Sequence, residues 1–202
     1  NQGDKMRKLL LLSIYLFSYM QASNNAIGLG LDFNGKHKMT DITINDDDYG
    51  NENFNVDMGY SLNYLYGPSF ENGSLFDFGG GLEYQIPRDI NENDAEGQFW
   101  FNSVYFSLYR KYDDSLCGIA SIGLGTFNAD DKYEGEGIVT LIGGLYYALG
   151  FNFIVNENYY VQGLYKTNHG KFSQLLFVGL SGLDIDYKLE YSRMSLSLIY
   201  RF

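Results

Sequence analysis

Phe54-Asn-Val-Asp-Met-Gly-Tyr-Ser-Leu-Asn-Tyr-Leu-Tyr66 is the stretch on which the reading of this chain turns. Its even positions hold Phe54, Val56, Met58, Tyr60, Leu62, Tyr64 and Tyr66, with Asn55, Asp57, Gly59, Ser61 and Asn63 between them. Successive side chains of a strand point to opposite faces, so this spacing puts every large apolar group except Leu65 on one face. A helix would scatter the same residues around its axis. The stretch reads as one strand.

The same period returns along the chain. Ile27, Leu29, Leu31 and Phe33 alternate with Gly28, Gly30 and Asp32, and Phe76, Phe78, Leu82, Tyr84 and Ile86 alternate with Asp77, Gly79, Gly81, Glu83 and Gln85. Val139, Leu141, Leu145, Tyr147, Leu149, Phe151 and Phe153 face away from Thr140, Gly144, Tyr146, Ala148 and Asn152. Met194, Leu196, Leu198, Tyr200 and Phe202 close the chain in the same way, and weaker versions occupy 99–110, 116–127 and 159–166. Eight strands, most of about nine residues or more, have the number and length of a small membrane barrel. Between them 67–73, 111–115 and 155–157 are short, whereas 35–53, 87–97, 128–136 and 168–189 are mostly longer. That rhythm predicts tight turns on one side of a membrane and external loops on the other. The run Leu175-Leu-Phe-Val178 is too apolar for a plain loop and is expected to extend the wall, form a lid or add a hairpin.

Composition narrows the class. With 19 Tyr, 15 Phe, 24 Gly and only 2 Pro in 202 residues, the chain suits one β-rich domain and not a disordered or Pro-rich one. A mean hydropathy of −0.23 excludes a polytopic helical membrane protein, but not a barrel whose strands are half apolar. A formal net charge of −11 repels nucleic acid, so none is expected as a partner. The single cysteine, Cys117, forbids an intrachain disulfide and reads as a small wall or core residue.

Met6-Arg7-Lys8, the apolar run Leu9–Met20 and the small residues around Ala22 have the layout of a cleavable signal peptide over 6–22. The run is too short to span a membrane as a helix. Residues 1–5 lie upstream of Met6, and 23–202 form the expected barrel domain. Cleavage removes three bases and one acid and shifts the net charge to −13.

Alternation alone does not separate a lipid-facing barrel from a soluble barrel or sandwich, which bury the apolar face. Three features favour lipid. The strands are long, the polar face is rich in Gly, Ser and Asn with few Lys or Glu, and aromatics such as Tyr64, Tyr66, Phe76, Phe78, Phe151, Phe153, Tyr159 and Tyr200 crowd the strand ends.

The final stretch Met194-Ser-Leu-Ser-Leu-Ile-Tyr-Arg-Phe202 resembles the terminal strand of bacterial outer-membrane β-barrels, and 147–159 is similar to the late hairpin of the eight-stranded porin-family, outer-membrane-protein-A-like barrels. The resemblance implies an all-β, antiparallel, up-and-down transmembrane barrel in the cell outer membrane. It implies contact with outer-membrane lipids and lipopolysaccharide, and recognition by the barrel-assembly machinery through Phe202. It is nearly silent on function.

By parity Asp32, Asp57, Asp77, Glu83, Lys166 and Arg201 point into a lumen just wide enough for side chains, so they are expected to form an ion-paired plug. The alternative is a gated ion path. The loops carry Asp46-Asp47-Asp48, then Asp89, Glu92, Asp94 and Glu96, then Asp130, Asp131, Glu134 and Glu136. These read as solvated surface or loose cation bridges to lipopolysaccharide, since no stretch has the spacing of a calcium loop. His37 and His169 lie near external strand ends. His169, Ser173 and Glu190 have the residue types of an outer-membrane lipid A deacylase but not that family's His-x-Ser-Asn element. Gly79-Gly-Gly81 sits within a strand and suits bending or close packing. The expectation is a monomeric, non-enzymatic barrel without cofactor or metal, acting in envelope integrity or surface interaction through acidic loops. A lipid A-modifying enzyme and a small-solute channel are the alternatives.

Overall fold

A computed structural model describes residues 25–67, 74–89, 97–134, 137–178 and 181–202. The signal-peptide reading over 6–22 and the loop acids Glu92, Asp94, Glu96 and Glu136 lie outside them. The strands are β1 (Asn25–Ile44), β2 (Asp47–Val56), β3 (Gly59–Tyr66), β4 (Phe76–Gln85), β5 (Arg88–Asp89), β6 (Gln98–Lys111), β7 (Leu116–Ala129), β8 (Ile138–Ile154), β9 (Tyr159–Val178) and β10 (Ser181–Arg201), with one helical turn, α1 (Asp131–Glu134), before β8.

Every pairing is antiparallel, and β1 pairs with both β10 and the β2–β3 pair, so the sheet closes on itself. β2 and β3 run end to end along β1, and β5 follows β4 alongside β6. The wall therefore has eight positions. Side-chain oxygens shape the short turns: Asp113 accepts from the Ser115 and Leu116 amides, and Asn156 accepts from the Asn158 and Tyr159 amides.

Two expected loops are wall instead. Residues 35–53 lie largely in the upper part of β1 and in β2, and 168–189 lie largely in a β9–β10 hairpin whose strands stay in register from Tyr159–Tyr200 to Val178–Ser181. Of the three roles open to Leu175–Val178, extension of the wall is the one adopted. Interstrand hydrogen bonds continue well above the apolar belt, Pro being absent from both segments, with register shifts only around Asp41 in the first of them.

The apolar face also changes sides. From Ile27 to Leu31, Tyr60 to Leu62, Leu145 to Phe153 and Met194 to Phe202 the large apolar side chains point outward and are exposed. Above that belt Phe54, Val56, Val139 and Leu141 turn inward, against the expectation of one continuous face. In β1 a register shift between Phe33 and Lys36 surrounds Asn34, which has φ 55°. Beside it Asp57 and Met58 interrupt β2 and β3, and β8 shifts register between Gly143 and Tyr146. Slipping by one residue sends every later side chain to the other face. The result is two stacked chambers in one wall: a lower one apolar outside and polar inside, and an upper one apolar inside.

Candidate functional site

At mid-height five ionisable side chains meet in the lumen. Asp32 comes from β1, Glu83 from β4, Arg88 from β5, Lys166 from β9 and Arg193 from β10, all at most 3 % exposed. Arg88 donates to Asp32 and also to the Tyr191 hydroxyl at 3.0 Å. Arg193 donates to Glu83 and to the Asn168 side-chain carbonyl at 2.7 Å, and its Nε lies 3.4 Å from Asp32. Lys166 donates to Glu83. Three cations thus enclose two carboxylates. Neutral amides complete the layer: Gln85 donates to Glu83 at 3.2 Å and Asn168 donates to Ser103 at 2.9 Å. Buried charges in this number are tolerated because each is paired and hydrogen-bonded.

Below this layer Tyr105 and Tyr146 stack with ring centroids 5.1 Å apart, and Ser107 bonds Ser121 at 2.8 Å. Gly81 makes room for Tyr105: a Cβ there would come within 2.6 Å of its hydroxyl oxygen. The glycine run therefore serves close packing, as its place in the strand suggested. Above the charges Phe99, Phe101, Phe127, Phe172, Tyr187 and Tyr191 pack as a core. Tyr133 enters it from α1, bonding His37 Nε2 at 2.9 Å and the Tyr187 hydroxyl at 3.0 Å. Burial pushes the His37 imidazole down to about 3, so the ring is neutral inside this core.

The sequence placed Asp32, Glu83 and Lys166 correctly, and these three meet. Asp57 is exposed at the β2–β3 break, Asp77 is only partly covered, and Arg201 lies half-buried with its guanidinium 5.7 Å from the Tyr160 ring centre. None of these joins the cluster. Arg88 and Arg193 were missed. Arg193 has the inward parity of Ser195 and Ser197, a signal that becomes legible once β10 is extended upstream of Met194. Arg88 fell in a segment expected to be loop.

The acidic segments also divide. Asp130 caps α1, accepting from the Tyr133 amide at 2.9 Å and from the Gln98 amide at 2.9 Å, and so fixes the residue that fills the upper core. Asp89 accepts from Gln98, while Asp46, Asp47 and Asp48 are exposed at the β1–β2 turn. Among the described residues no three acidic, His or Cys side chains gather to hold a metal. His169 and Glu190 are directly opposite on β9 and β10, and the His169 ring lies 5.6 Å from that of Tyr147. Ser173 is four residues further along β9, opposite Asp186, a separation of roughly 13 Å at strand rise. Cys117 is buried in the lower packing, as a small core residue.

Outside, rows such as Leu29, Leu62 and Leu198 are each at least half exposed. A hollow of about 960 Å³ opens on this outer wall among Leu29, Leu62, Leu82, Val104 and Leu124. A closed sheet with so continuous an apolar exterior and charges within is stable only where lipid replaces water outside. It is a transmembrane β-barrel of the outer-membrane type. No family model and no curated protein matches the sequence. Among solved structures the chain is similar to outer membrane protein AlkL, at 13 % identity over 89 % of this chain and 91 % of that one, with a TM-score of 0.53. It is also similar to OprG from Pseudomonas aeruginosa, at 14 % identity over 89 % and 97 % with a TM-score of 0.49. Ail, the attachment invasion locus protein of Yersinia pestis, gives 15 % identity, 89 % and 99 %, and a TM-score of 0.47. At such identities the likeness is one of fold. In this barrel the functional candidates are the charge-filled lumen and the wall extension above the belt.

Proposed function

We propose that this chain is a non-enzymatic outer-membrane barrel, closed to solutes, that carries a rigid β-extension on the cell surface as a contact platform. The observation that carries the reading is the filling of the lumen by two successive layers. The ion-paired cluster around Arg193 is followed by the aromatic core around Tyr133 and Tyr191. A solute crossing the barrel would have to displace both. The extension has its own apolar interior and a charged exterior, with Lys188 bonding Asp41 at 2.7 Å and Lys171 lying 3.7 Å from Asp186. A hydrogen-bonded wall with a core is preorganised for contact, since little entropy is lost when it binds. Its surface acids, beginning with Asp46–Asp48, suit divalent bridges to lipopolysaccharide, and Phe202 at the end of the wall suits recognition by the assembly machinery. The wide spacing of His169 and Ser173 supports the non-enzymatic reading.

Conductance across planar bilayers tests the seal. The protein should give no steady current in 1 M salt, and discrete openings would make it a small-solute channel. Incubation with lipid A tests the chemistry: release of a fatty acid that is lost in both His169→Ala and Ser173→Ala would make it a deacylase.

A further inference from the structure

At the level of the apolar belt, Arg110 is the one charged side chain on the outer face of the wall among the described residues. It follows Val104, Phe106 and Leu108 on the lipid side of β6, two residues before the short turn that joins β7. A cation at the edge of the hydrocarbon is costly unless an anion or the headgroup layer receives it. Its neighbour Lys111 is already paired with Asp114 at 2.7 Å. The Arg110 guanidinium makes no hydrogen bond or ion pair among the described residues. It is instead held by rings, its guanidinium carbon 5.8 Å from the Phe76 ring centre and 5.2 Å from that of Tyr112.

Beside it runs a furrow. Gly118 of β7 pairs with Arg110 on one side and Phe151 on the other, and Ala120 pairs with Leu108 and Leu149. The Tyr112 ring covers Gly118, where a Cβ would come within 3.0 Å of it, and Ala120 stays open between two rows of tall residues, so that a groove of about 420 Å³ runs from Arg110 and Tyr112 past Ala120. The groove is apolar along its length and cationic at one end, at the level of the aromatic residues that bracket the turn.

We propose that this furrow holds one phospholipid of the leaflet on the short-turn side, its phosphate on Arg110 and an acyl chain passing the Tyr112 ring along Ala120. A guanidinium matches a phosphate with two parallel N–H···O bonds, and the flanking rings fix its plane. Such a lipid would neutralise the one charge on the outer face of the apolar belt among the described residues and fill the gap between β6 and β8. The inference rests on the membrane-barrel reading.

Native mass spectrometry of the whole barrel in mild detergent tests it, with phosphatidylglycerol and a diacylglycerol of the same chains as probes. The wild type should retain one phosphatidylglycerol at least tenfold more often than the diacylglycerol. Arg110→Gln should abolish that preference, and Arg110→Lys should keep part of it. Ala120→Phe should lose the lipid with the cation still in place, by filling the furrow. Equal retention of phosphatidylglycerol by the wild type and Arg110→Gln, or equal retention of the two lipids by the wild type, overturns the proposal. Unheated gel mobility of each variant reports folding separately. A wild type that never inserts into vesicles refutes the membrane reading itself, which a lost lipid preference does not.

Discussion

Replacing Glu83 by Gln keeps the shape of the side chain and removes one of the two carboxylates in the lumen. Glu83 receives both Lys166 and Arg193. Arg193 would keep Asp32 at 3.4 Å and the Asn168 carbonyl at 2.7 Å, so most of its compensation survives. Lys166 would lose its one contacting carboxylate and keep only the longer-range attraction of Asp32, as a buried cation without an ion-pair contact. Breaking a buried pair in this way costs about 3–5 kcal/mol, or roughly two to three and a half powers of ten in the unfolding equilibrium. Urea titration of the barrel refolded in phospholipid vesicles reads this change through the fluorescence of Trp100, the only tryptophan, and through mobility on unheated gels. Adding Lys166→Met to Glu83→Gln should recover at least about 1 kcal/mol, since the orphaned charge goes with it. A loss under about 1 kcal/mol for Glu83→Gln, together with strict additivity in the double variant, would refute the view that the lumen is held by coupled charges.

Three other perturbations separate the chambers. Leu29→Arg, on the outward row with Leu62 and Leu198, should cost about 2–4 kcal/mol in vesicles, and a neutral effect in the same titration would argue against lipid on that face. Arg201→Ala should cost no more than about 1 kcal/mol, because the side chain is half-buried and stacks on Tyr160 outside the cluster; a loss as large as that of Glu83→Gln would restore it to the plug. His37 faces the Tyr133 hydroxyl and the rings of Phe54 and Phe99, and burial lowers its pKa to about 3. Its folded pKa lies below the unfolded value near 6.5, so the stability it protects is complete above that value and drains as pH falls towards 3. At pH 4.5 the upper chamber should have lost about 2–3 kcal/mol against opening, read by amide exchange in β2 and β6, and a wild type and His37→Gln with the same pH slope would contradict this.

What the sequence determines by itself is the strand set and its lipid-facing rows. A period of two is a local property, and Ile27–Leu31, Tyr60–Leu62 and Met194–Phe202 carry it without reference to any partner. Residue type also marked Asp32, Glu83 and Lys166 as lumen charges, because their parity is that of the small polar residues beside them. Closure, and everything that depends on it, was decided by tertiary structure. Arg88 and Arg193 join the cluster only because β5 and the upstream half of β10 are in the wall, and those segments read as loops when judged by alternation alone. Parity also fails wherever the ladder slips. Phe54 and Val56 share a face with Tyr60 in a straight strand, yet the shift around Asn34 in β1, the gap at Asp57–Met58 and the shift at Gly143–Tyr146 turn the upper residues inward together. A slip in one strand costs little in its own sequence and leaves almost no mark there. Its consequence is collective, since β1, β2 and β8 slipping near one level turn new apolar rows inward while β6, β9 and β10 keep their parity.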